Sequence, residues 1–409
     1  MHPRTTFRAL VALLIVAAPA VAQEAPATLW TRDTIQSAKL NERRTILVAT
    51  PDNYGTSKDR YSVLVVLDAD DRQQFTLAIA NVAFLASRNA IPPLIVVGVT
   101  NGRDRTHDMT PLATGATARD FGTAGGASAF ADFIVDEVVP MVRSKYRTLP
   151  TTILAGHSFG GLFALNVAAT RPRVFTGIIA ISPSLWWNDS TLAVSYADAI
   201  ARSAATPRLF TTSGGLEPDI DRTTQRFVNR LDSIKPATLA FAYRRYPDDS
   251  HGLTPAPSLA DGLRFIFEPV AVTKLPVARL GPSSDSAAVV AAVLETEQTY
   301  GRNARSLGLP DKVPEQVLNQ LGYGVLQVLK KPDLAIWVFK RNAALYPESA
   351  NVYDSLGDGY LAKGDTTEAK AQLRRAVDVA THTGHPVLVE SRRKLEQLEH
   401  LQAGTPKPR

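Results

Sequence analysis

The chain has 409 residues, 45% of them hydrophobic, with a formal charge of +6 and no cysteine. That length and apolar content suit one large domain with a smaller companion and exclude a compositionally disordered chain. The missing cysteines exclude disulfides, a lipid-modified cysteine, thiolate catalysis and cysteine metal sites, and the basic residues are interleaved with acids rather than gathered in the stripe that nucleic acid requires.

Residues 1–22 carry Arg4 and Arg8, an apolar stretch from Ala9 to Ala18, and Ala20-Val21-Ala22 as a small-residue cleavage site. This pattern predicts a secretory signal peptide, hence an exported protein, periplasmic or extracellular. Its apolar core is too short to span a bilayer, so no membrane insertion is expected after cleavage. The mature chain keeps a formal charge of +4, since the lost segment holds two arginines and no acid.

From residue 23 to 268 the pattern alternates strands with helices. Expected strands are 45–49, 62–67, 94–99, 152–155, 177–181, 208–212 and 239–243, several of them continuous Val/Ile/Leu runs suited to burial on both faces. Helical stretches include 128–146, 161–169 and 220–234. Such alternation predicts an α/β fold whose central sheet is mostly parallel, with helices on both faces. Residues 269–283 read as a linker. From 284 to 409 the helical period dominates, and Ala335 and Ala369, like Phe339 and Leu373, are 34 residues apart, which predicts a tetratricopeptide-like helical domain. Leu356-Gly357 with Tyr360 fits that pattern, whereas Leu321-Gly322 is displaced by one residue. The tail is expected to offer a surface for a protein partner or a homodimer.

The densest chemical signal is Gly156-His157-Ser158-Phe159-Gly160, between a predicted strand and a predicted helix. A serine at a strained strand-to-helix bend needs small neighbours two residues to either side. The bend exposes the hydroxyl and aims the next amide at an oxyanion, making Ser158 the candidate nucleophile and the Phe159 amide a candidate oxyanion donor. The second donor is expected from Asp68-Ala69-Asp70-Asp71, through the amide of Ala69 or Asp70. A polar loop, Asn101 to Pro111, follows another strand; Arg105 there either grips an anionic acyl donor or pairs with Asp108.

A serine needs a base, and of seven histidines His251 follows the last strand, in Tyr246-Pro-Asp-Asp-Ser-His251-Gly252. The acid that orients the imidazole is expected after strand 208–212, where Thr212-Ser-Gly-Gly-Leu-Glu217-Pro-Asp219-Ile-Asp221 offers three candidates. Glu217 is preferred, because Gly214-Gly215 let the loop fold under the histidine. Asp219 and Asp221 suit the N-terminus of the following helix.

Together, Val66-Leu-Asp68, Arg105-x-x-Asp108-x-Thr-Pro111, Gly156-His-Ser-Phe-Gly-Gly161, Ser182-Pro-Ser-Leu-Trp-Trp187, Gly-Leu-Glu217 and Asp249-Ser-His251-Gly resemble an esterase family of α/β-hydrolases. That family includes enterochelin esterases and S-formylglutathione hydrolase-like enzymes, and the resemblance covers roughly residues 40 to 270. It implies hydrolysis carried by Ser158 and His251, with Trp186 near the substrate; Asp70 and Arg105 are expected to line the site from their loops, and the chemistry needs no cofactor or metal. The chain departs from many relatives in having Asp68-Ala69 in place of Asp-Gly, and in its helical tail. The expected function is a secreted serine esterase, with siderophore-type esters as one specific version. Acyl transfer to an alcohol would use the same triad, and a hydrolase-fold binding protein whose tail docks a partner is the non-catalytic alternative. A non-catalytic scaffold has no reason to keep serine, acid and histidine in hydrolase order.

Overall fold

The Val/Ile/Leu runs pair edge to edge in the computed structural model, which describes residues 29–403 apart from 56, 204–206 and 235. The expected signal peptide and the chain's last residues lie outside this range. Eight strands form one sheet: β1 (Thr31–Ser37), β2 (Glu42–Ala49), β3 (Tyr61–Val66), β4 (Leu94–Val99), β5 (Thr148–His157), β6 (Gly177–Ile181), β7 (Arg208–Gly214) and β8 (Phe241–Tyr246). Their order is β1-β2-β4-β3-β5-β6-β7-β8, with β2 antiparallel to both its neighbours and the rest parallel. β1 escapes the sequence pattern because it is a mostly exposed edge strand of polar composition, Thr-Arg-Asp-Thr-Ile-Gln-Ser.

Successive residues of the central strands enter two different cores, as the pleat requires. Leu64, Val66, Val96, Ile153, Ala155 and Ile179 face one side, with Phe75 and Leu263 from the helices Arg72–Ser87 and Pro255–Ile266. Val63, Val65, Val97, Leu154, Ile178 and Ala180 face the other, with Phe130, Leu162, Ala197 and Phe227 from the remaining helices. Strands β3 to β8 run the same way, so their C-terminal ends share one edge of the sheet. The loops at that edge hold every predicted site residue, the position expected for ligands in open α/β sheets.

The stretch 269–283, expected as a linker, is packed. It forms short 3-10 turns at Glu268–Val270, Val272–Lys274 and Pro276–Arg279, and Val270, Leu275 and Val277 are buried in the same apolar cluster as Leu64 and Phe75. Beyond it come the helices Ser286–Ser306, Glu315–Gln327, Pro332–Leu345, Ala350–Lys363, Thr366–Thr383 and Leu388–Ala403. Ala335, Ala369, Phe339 and Leu373, the residues repeating at 34, are fully buried. No described helix is long and apolar enough to cross a membrane.

Candidate active site

Ser158 sits between β5 and the helix Phe159–Thr170 with φ 62° and ψ −117°, a backbone conformation that a side chain rarely adopts. The neighbours explain how the chain tolerates it. A Cβ on Gly156 would collide with the carbonyl of Gly160, and one on Gly161 would collide with the carbonyl of Ile181. Gly160 itself has more room, its nearest neighbour being Asp68 Oδ2 at 3.3 Å from such a Cβ. The tight pair is therefore Gly156 and Gly161. The bend leaves the first amides of the helix, Phe159 among them, without intrahelical partners and at the positive end of its dipole. Ser158 Oγ lies 3.4 Å from Ser184 Oγ.

His251 and Glu217 meet as the sequence expects: Nδ1 lies 2.5 Å from Glu217 Oε2. The imidazole is 39% exposed and the glutamate side chain 5%, so the base is reachable from outside while the acid is enclosed. The ring lies against that of His157, which is next to Ser158, with centroids 4.4 Å apart and the planes tilted by 37°. Burial and the neighbouring His251 push the His157 imidazole down to about 4, which keeps it neutral against its neighbour.

The other glutamate oxygen, Oε1, accepts from Ser182 Oγ at 2.6 Å and from the Gly214 amide. Ser182 Oγ also lies 2.8 Å from Thr254 Oγ1, which donates to the His251 carbonyl at 3.1 Å. Burial alone would raise the Glu217 carboxyl, but the hydrogen bonds from His251, Ser182 and Gly214 outweigh it and hold the group below the usual carboxylate range. The two competing acids point elsewhere. Asp219 pairs with Arg222 on the surface, and Asp221 accepts from Ser213 and pairs with Arg245. Sequence reasoning assigned no role to Ser182 and Thr254, since a single serine or threonine after a strand carries no spacing signal; the Ser182-Pro-Ser motif was the one hint available.

Two expectations change. The Ala69 amide already donates to the Val99 carbonyl at 3.1 Å, which leaves it unsuited to an oxyanion. The Asp70 amide, the other donor the sequence offers, finds no acceptor among the described residues. Arg105 does not pair with Asp108, which instead binds the buried Arg44. It grips Asp68 with both Nε (2.5 Å) and Nη2 (2.9 Å), reaches the His157 carbonyl at 3.4 Å, and lies over the Phe159 ring. Asn101 adds a bond to Asp68 at 2.8 Å, and its amide donates to Asp70 at 3.0 Å. These bonds tie the loops after β3 and β4 to the serine turn.

Trp186 is half-buried and belongs to a cluster with Phe121, Phe159 and Trp187, centroids 5.1 to 6.0 Å apart. Phe121 went unnoticed because it comes from a polar stretch distant in sequence. Trp186 and Glu217 also line an open cleft of about 800 Å³, shared with Asp189, Ile220 and Arg222. A separate cavity of about 430 Å³, lined by Leu94, Tyr300 and Val317, lies at the opposite edge of the sheet.

The family model described as "Putative esterase" matches residues 37–250, just over half of the chain. A siderophore triacetylfusarinine C esterase of Aspergillus fumigatus is 42% identical over 90 residues, 22% of this chain and 30% of that protein. A siderophore enterobactin esterase of Emericella nidulans is 30% identical over 171 residues, 35% of this chain and 56% of that protein. The chain thus spans about a third to about half of the length of these curated relatives. Among solved structures, an IroE-like serine hydrolase from Shewanella oneidensis is 26% identical with a TM-score of 0.64, covering 77% of this chain and 99% of that one. An uncharacterised protein from Capnocytophaga ochracea, 17% identical, covers 91% of this chain and 99% of its own with a TM-score of 0.59, so the fold extends to the helical region.

Proposed function

The chain belongs to this esterase family, and from that premise we propose that it hydrolyses carboxylic esters through an acyl-enzyme on Ser158. The observation that carries the reading is the Glu217–His251 pair set beside the serine turn. Glu217 holds the Nδ1 proton of His251, leaving Nε2 to take the proton from Ser158 as Oγ attacks the ester carbonyl. The amides of Phe159 and Asp70 receive the oxyanion. The intermediate collapses when His251 returns its proton to the departing alkoxide, which leaves as the alcohol. Water then attacks the acyl-serine, His251 again takes the proton, and the acid is released with Ser158 restored.

The relatives named as siderophore esterases favour a siderophore-type ester as substrate. The N-terminal segment favours export, so that hydrolysis would take place outside the cytoplasm. The 34-residue repetition in the tail supports a tetratricopeptide-like role as a surface for a protein partner or a second copy.

The test is hydrolysis of short p-nitrophenyl esters. Ser158→Ala and Glu217→Gln should each reduce turnover by roughly a thousandfold or more, while Asp219→Asn and Asp221→Asn stay within about threefold of wild type. An inactive wild type, or a Ser158→Ala protein that keeps its activity, would sink the esterase reading; losses equal at all three acids would sink the assignment of Glu217.

A further inference from the structure

Although the chain as a whole is basic, the edge of the sheet that carries the triad is acidic. Asp70, Asp71, Asp104, Asp189, Asp248 and Asp249 occupy the loops after β3, β4, β6 and β8. None of them belongs to an ion pair among the described residues. Asp70, Asp189 and Asp248 are exposed to solvent, where an arriving substrate meets them first. Glu217 adds a further negative charge at the centre.

The cations at this edge offset that field only in part: Arg72 and Arg119 are exposed and belong to no ion pair among the described residues, against the six aspartates and Glu217. Arg105, the residue best placed to grip an anionic acyl group, has the Nε and Nη2 edge of its guanidinium committed to Asp68. Arg222 is paired with Asp219, and the exposed Arg103 reaches Glu42 at 3.9 Å. A second, independent observation has the same sense. The wall beside Ser158 presents the half-buried rings of Phe121 and Trp186, backed by the fully buried Trp187, and their electronegative π-faces attract cations or stack flat neutral groups.

We infer that this site selects esters by charge: the groups flanking the scissile bond are neutral or cationic, and polyanionic esters are turned away. This rests on the esterase reading above and narrows its substrate class. For an iron chelate the consequence follows from charge balance. Three singly charged hydroxamates neutralise a ferric ion, whereas three doubly charged catecholates leave a trianion. The site therefore takes neutral ferric hydroxamate esters, or catecholate esters before iron loading, in preference to ferric tris-catecholates.

The experiment uses three p-nitrophenyl esters of similar acyl length: butyrate, hemisuccinate and 4-(trimethylammonio)butyrate. At low salt, kcat/KM for the neutral and cationic esters should exceed that for the anionic one by about tenfold or more. Raising the salt from about 20 mM to about 500 mM shortens the screening length to a few ångströms and should narrow that gap several-fold. The double substitution Asp189→Asn with Asp248→Asn should narrow it at low salt too. An anionic ester hydrolysed as well as the neutral one, or a gap that ignores salt and both substitutions, overturns charge selection while leaving the esterase reading intact. Turnover of none of the three overturns the esterase reading, and this inference with it.

Discussion

Histidine 157 and Glu217 show how single side chains set the acid limit of the site. The folded protein keeps His157 neutral down to about pH 4, whereas the unfolded chain takes up that proton below about 6.5. The unfolded state therefore binds more protons across that window, and stability falls as the pH drops through it. Glu217 acts at the lower end: its contribution is complete above the ordinary glutamate value of 4.5 and is lost as the pH falls through its depressed one. Thermal unfolding midpoints followed from neutral pH downward should decline between about 6.5 and 4, and the decline should flatten in His157→Gln. A variant with the wild-type slope would show that another group titrates there. The sequence places His157 inside the serine turn and offers Glu217 beside Asp219 and Asp221, and only the folded chain brings Glu217 against His251. Ser182, which bonds Glu217, and Thr254, which meets Ser182, carry no such signal, because 72 residues separate them and only folding brings their hydroxyls together.

Between elements, close packing depends on where glycine admits a neighbour. In the helix Glu315–Gln327, a Cβ on Gly322 would run into the Phe339 ring of the next helix, whereas Gly324 faces open space. Gly357 stands in the same relation to Leu373, 34 residues after Phe339. The one-residue displacement of Leu321-Gly322 thus leaves the packing relation intact: each glycine still receives the large side chain of the helix that follows. Two substitutions in one helix should have opposite signs. Gly324→Ala should stabilise by about 0.5 to 1 kcal/mol through helix propensity, and Gly322→Ala should destabilise by roughly 1 to 3 kcal/mol through overpacking. Chemical denaturation of both variants measures this directly, and equal shifts of the same sign would refute the packing argument.

Across the whole molecule, one apolar cluster runs from the sheet through the 3-10 turns into the helical region, joining Leu64, Phe75 and Leu263 to Val277, Val293, Leu318 and Phe339. Thr151 at the base of β5 also donates to the Leu307 carbonyl. Ending the chain at residue 268 should therefore uncover apolar surface that the full chain buries. The truncated protein is expected to melt at a lower temperature than the full chain, or to aggregate on expression. Equal melting temperatures would mean that the two parts are energetically independent. The sequence reading placed a linker at 269–283 because a run with three prolines and no clear period looks like one. Its buried residues, Val270, Leu275 and Val277, have partners only in three dimensions.

The sequence by itself determined the parallel sheet, the strained serine turn and the chain order of Ser158, Glu217 and His251, because these follow from local periodicity and from steric needs within a few residues. The tertiary structure decided which acid reaches the histidine, which amide is left for an oxyanion, that Arg105 is spent on Asp68, and that the helical region shares a core with the sheet. Each of these turns on which hydrogen-bonding group or apolar surface already has a partner, and such partners come from segments far apart in the chain.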